Sequence, residues 1–148
     1  GLMKENSFQS RKKIAIYTYS VIIFFIISTI VIMCLMPFIY KVYVDKKYVQ
    51  GLSVVNLLAL GFLLNAIYRI FGNFFFYKKN TFTLGILTLG SAIINIFLNY
   101  TLIPSYGLVG AGVSSIVSFA ILLICVVVLV IKQFNIPWLF FLKDAKNN

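Results

Sequence analysis

The amino-acid sequence predicts an all-α membrane protein with four transmembrane helices, and three observations carry that expectation. Of the 148 residues, 61% are hydrophobic and only 11% charged, with a mean hydropathy of +1.01. A water-soluble domain has roughly 45–50% apolar and about 25% charged residues. The apolar residues also gather into four runs, each long enough to cross hydrocarbon. Finally, the bases stand at the ends of those runs. Thirteen Lys and Arg against three Asp and Glu would suggest nucleic acid in a soluble domain, but such a footprint needs a basic face on a folded soluble module. Here the charges read as topology signals, and no nucleic-acid partner is expected.

Residues 1–13 are polar and basic, with Lys4, Arg11, Lys12 and Lys13 leading into the first run. The chain begins Gly-Leu-Met-Lys and reads as a piece of something longer; the first apolar run is too long for a cleavable signal peptide and has no small-residue cleavage site after it. Span one, about residues 14–37, gives ~36 Å of helix, enough for a ~30 Å hydrocarbon core with tilt. It is expected to stop at Pro37, followed by an aromatic and basic stretch suited to headgroup level.

Span two, about residues 52–76, carries Gly61, Asn65, Arg69 and Asn73 at successive i, i+4 positions, one slowly drifting face of a helix. Lys78 and Lys79 close it. Span three, about 81–103, repeats the pattern with Thr81, Gly85, Thr88, Ala92, Asn95 and Asn99. Span four, about 107–131, opens on Gly107 and carries Gly110, Ser114 and Ser118 at i, i+4, i+8. Stripes of small and polar residues are what helices offer one another in a bilayer, where close contact and interhelical hydrogen bonds replace the hydrophobic effect. Residues 132–148 form a tail whose short apolar patch around Trp138 suits the interface.

Spans three and four meet at a tight corner. Pro104 stops one helix, and Gly107, Gly110 and Gly112 supply turn geometry and close approach. Four spans put both ends on one side. That side holds nine bases (Lys4, Arg11, Lys12, Lys13, Lys78, Lys79, Lys132, Lys143, Lys146) against Lys41, Lys46 and Lys47 opposite. Positive-inside then makes both termini of the segment cytoplasmic and puts the Pro104 corner outside the cytoplasmic membrane.

The corner also carries a resemblance. Asn95 and Asn99, then Leu102-Ile103-Pro104, Tyr106 and Gly107, then Gly110-Ala111 and a small-residue helix start resemble the C-terminal region of bacterial polysaccharide flippases of the Wzx type, in the multidrug/oligosaccharidyl-lipid/polysaccharide exporter superfamily. The turn from Val44 to Gly51 looks like a loop of the same family, with Val44 or Asp45 where glycine is usual. The resemblance implies part of the C-terminal lobe of a twelve-to-fourteen-helix exporter fold. It further implies that the partners are a lipid-linked glycan, membrane lipids and the missing N-terminal helices of the same transporter. The implied activity is flipping a polyprenyl-pyrophosphate repeat unit between leaflets by alternating access.

Arg69 is the sharpest candidate substrate-binding residue. It lies ~13 Å of helix from Lys78, and an intramembrane arginine costs at least ~2.5–3.5 kcal/mol at the bilayer centre. One role is attraction of an anionic lipid-phosphate headgroup; the other is snorkelling to headgroups. Asn65 and Asn73 flank it by one turn each and join it as the expected cleft lining, although interhelical glue also accounts for them, as for Asn95 and Asn99. Gly107-Leu-Val-Gly-Ala-Gly opens an apolar span without the strand or Lys-Ser/Thr of a phosphate loop, so packing and turn formation explain it.

There is no histidine, and Glu5, Asp45 and Asp144 all fall outside the spans. No acid–base pair, catalytic residue, metal site or cofactor is therefore expected, and the chain does not read as an enzyme. Cys34 and Cys125 lie in opposite leaflets by helical rise, too far apart to bridge. The rivals on the same fold are a multidrug exporter, whose site would be more aromatic, or a peptidoglycan-precursor exporter. A membrane-embedded glycan polymerase or transferase would need carboxylates or histidines near a membrane face, and a non-transporting membrane subunit is the remaining alternative.

Overall fold

A computed structural model describes residues 8–43 and 51–133. The expectations for residues 1–7, for the connection 44–50 and for the tail 134–148 with Trp138 lie outside the described residues.

The described chain is all helical, in three elements: α1 (Phe8–Tyr43), α2 (Gly51–Tyr77) and α3 (Thr81–Gln133). All three are long and apolar enough to cross a membrane. Helix α1 does not stop at Pro37 as expected but runs on to Tyr43. A proline removes one backbone bond and crowds one carbonyl, and membrane-type helices tolerate this where surrounding groups compensate.

Three helical elements stand where four spans were expected, but the third holds two helical stretches joined at a kink. Residues 81–133 form one element in which only Gly107 leaves helical geometry, at φ 57° and ψ −138°. Pro104, expected to end a helix, lies inside it. The chain reverses at Gly107 all the same. A Cβ placed on Gly110 would lie 2.5 Å from the carbonyl oxygen of Leu102, whereas eight residues of straight helix would separate the two by about 12 Å. Ser91 Oγ likewise donates to the Ser118 carbonyl at 3.0 Å across 27 residues. The two arms of α3, residues 81–106 and 108–133, therefore pack side by side. A side chain at Gly107 would be strained, because positive φ with this ψ is glycine territory.

Helix α2 joins α3 through a Schellman turn. The Asn80 amide donates to Phe75 O at 2.9 Å and the Lys79 amide to Phe76 O at 3.1 Å, while Lys79 takes the left-handed conformation, φ 58°, usually given to glycine. Asn80 directly precedes α3, its Oδ1 accepting from Thr83 Oγ1 at 2.8 Å. Lys78 Nζ reaches the Gln133 carbonyl at 2.8 Å and ties the turn to the far end of α3.

Two kinds of contact hold α2 to α3. Toward Gly107 they are close: Gly112 faces Leu57, and Gly61 faces Ser115. Toward Lys78 a hydrophobic core gathers Phe71, Phe74, Phe75, Leu84, Leu122, Val126 and Val130, with Ile14 and Ile22 of α1 packed against it. The rings of Phe71 and Phe74 stack at 6.4 Å. Over the rest of its length α1 rests on α2 and exposes most of its apolar side chains. Both cysteines are free thiols.

Candidate functional site

Between the small-residue contacts and the aromatic core lies a polar pocket of about 270 Å³. Helix α2 contributes Asn65, Tyr68 and Arg69; the leading arm of α3 contributes Thr88, Ser91, Ala92 and Asn95; the trailing arm contributes Ser115, Ser118 and Phe119, with Leu122 shared with the core.

Local chemistry decides what these groups offer. Thr88, Ser115 and Ser118 each donate to a carbonyl four residues back on their own helix, at 2.7, 3.0 and 2.7 Å. Ser91 gives its proton to the Ser118 carbonyl. These hydroxyl donors are spent on backbone, as polar side chains in membrane helices commonly are. Arg69 Nε donates to Asn65 Oδ1 at 2.9 Å, and Asn99 Nδ2 donates to Asn95 Oδ1 at 2.9 Å. Both pocket asparagines thus use their acceptor oxygen internally and keep Nδ2 as a donor. Tyr68 OH and Thr88 Oγ1 stand 3.5 Å apart across the α2–α3 seam.

The result is a pocket with a guanidinium fork and two amide NH₂ groups. No Asp or Glu occurs anywhere among the described residues, so no carboxylate there neutralises Arg69. An arginine fork with extra N–H donors matches the oxygens of a phosphate or pyrophosphate. Among the described residues there is no group of three or more His, Cys, Asp or Glu side chains that would hold a metal ion.

Of the three residues expected to line a cleft, Arg69 and Asn65 are brought together and Asn73 is not. Asn73, exposed like Arg69, lies outside this pocket. The reason is helical drift: each step of four residues turns about 40° too far, so a stripe that starts buried at Gly61 has rotated roughly 120° by Asn73. Asn95, first read as interhelical glue, lines the pocket. Tyr68 and Ser91 were not singled out by the sequence reading. Only the register between α2 and the folded-back arms of α3 would have found them.

Comparison with known proteins returns no matching family, no similar curated protein and no similar solved structure.

Proposed function

We propose that this chain is part of the C-terminal lobe of a transporter that flips a lipid-linked oligosaccharide, a polyprenyl-pyrophosphate repeat unit, across the cytoplasmic membrane by alternating access. In this reading the chain crosses the membrane four times, the two arms of α3 counting separately. Both ends of the segment face the cytoplasm and the Gly107 corner faces out, as the distribution of bases requires. The observation that carries the proposal is Arg69, set with Asn65 and Asn95 in a donor-rich pocket between apolar helices and unmatched by any carboxylate among the described residues. Arg69 is exposed in the described chain, and a guanidinium held at membrane depth without a counter-charge is costly unless it meets an anion; a pyrophosphate supplies one. The pocket is too small for a glycan, so the sugars travel in space completed by the missing helices.

The test compares glycan export with protein abundance. Arg69→Ala lowers export by about tenfold or more, the worth of a charge-assisted hydrogen bond or two, while abundance changes little; Arg69→Lys keeps the charge and is milder. Export and abundance falling together would make Arg69 structural and remove the proposal's support.

A further inference from the structure

The bond between Arg69 and Asn65 has a direction. Asn65 lies beside the midpoint of α2 (Gly51–Tyr77), and Arg69 lies one turn, ~6 Å of helix, nearer to Lys78. Helical side chains lean toward the N-terminus of their helix, here away from Lys78. Arg69 follows that lean, and its Nε donates to Asn65 Oδ1 at 2.9 Å. Because the guanidinium is built on Nε, the whole cation is carried about a turn past its own Cα, toward the middle of the helix. Solvation alone would choose the opposite direction. The end of α2 at Lys78 is ~13 Å of helix from Arg69, against ~27 Å to Gly51. An exposed arginine at this depth lowers its cost by snorkelling to the nearer headgroups, since a charge costs most at the bilayer centre.

We propose that Asn65 is a positioning residue that holds the Arg69 guanidinium toward the membrane midplane, against the pull of the nearer headgroups. What the held cation is for rests on the headgroup reading above; the holding itself does not. The same bond sets how an anion is met. Of the N–H groups on the guanidinium, the one on Nε is committed to Asn65, which leaves the two terminal nitrogens to face a ligand. A phosphate is therefore met end-on by that pair, and the approach that uses Nε together with one terminal nitrogen is closed.

The chain has arginine only at positions 11 and 69, so solid-state NMR can read each guanidinium separately. The full 148-residue chain, with isotope-labelled arginine, is placed in bilayers of phosphatidylcholine and phosphatidylglycerol. The measurement is the loss of each guanidinium signal through coupling to lipid phosphorus, with Arg11→Lys assigning the two signals. Arg11, in the basic stretch at the start of α1, is expected to be attenuated, and Arg69 to stay at background. Asn65→Leu removes the acceptor and shifts the balance between inward and surface-facing cation about tenfold, the worth of one charge-assisted hydrogen bond. Arg69 should then be attenuated like Arg11. Asn65→Asp keeps an oxygen at the same place and should leave Arg69 at background. Asn65→Ala replaces Asn65→Leu if the latter unfolds, and the unsubstituted chain is a test by itself. Arg69 attenuated as strongly as Arg11 in the unsubstituted chain overturns the inference, and so does Arg69 still at background once the acceptor is gone. Adding a polyprenyl pyrophosphate to the unsubstituted chain separates the two readings. Phosphorus coupling that then appears at Arg69 supports both; its absence, with the Asn65 effects intact, keeps the positioning role and removes the headgroup reading.

Discussion

The trailing arm of α3 buries Gly110, Ser114, Ser118, Leu122, Val126 and Val130, one residue in every four, together with Gly112. Helix α1 is richer in isoleucine and phenylalanine, yet its buried positions are Ser10, Ala15, Thr18 and Thr29. In water the two would compete equally for a core. In a bilayer lipid tails are as apolar as leucine, so hydrophobicity does not choose partners; small residues at helical spacing do, because they let backbones approach. Helix α1 has few such positions, and its large side chains face outward.

The contrast breaks most sharply at Gly110. Gly110→Leu would drive a side chain into the Leu102 backbone, and we expect a loss of about 3 kcal/mol or more, read as collapse of the thermal unfolding transition in detergent. A stable Gly110→Leu protein would mean that the two arms do not pack as described. Next comes Gly107→Ala, expected to cost about 1–3 kcal/mol through strain at positive φ, measured the same way. Ser91→Ala removes one hydrogen bond across the arms and should cost only about 0.6 kcal/mol, typical of interhelical bonds in membranes. On α1, Ile23→Ala and Ile30→Ala should stay within about 0.5 kcal/mol. If they cost as much as Gly107→Ala, this face is covered by a packing partner in the assembled protein. The smallest effect has the opposite sign: Lys79→Gly relieves a left-handed lysine and should stabilise by a few tenths to about 1 kcal/mol.

Much of this was legible in the sequence. The apolar runs, the bases closing them, the reversal near Pro104 and Gly107 and the pairing of Asn65 with Arg69 all follow from spacing and composition. What failed did so for identifiable reasons. Pro37 was read as a stop by a rule learned in water, where a freed carbonyl finds solvent, but α1 runs on past it to Tyr43, whereas Pro104 stands three residues before the break at Gly107. Asn73 stands apart from the pocket that holds Asn65 and Arg69, because steps of four look collinear in a sequence and spiral on a helix. Tyr68 and Ser91 needed the lateral register of three helical stretches, which one chain's pattern does not encode.

The every-fourth-residue line on the trailing arm carries one more implication. Its residues are graded in bulk, from glycine near the corner through serine to leucine and valine toward Gln133. Since the side chains at a crossing set how far apart two axes lie, this gradation acts as a wedge, pinching the helices at one end and propping them at the other. The polar pocket occupies the point where the wedge first opens. Its width then depends on residue volume at Ser118, so a single methyl or hydroxyl more or less there changes the space between the arms.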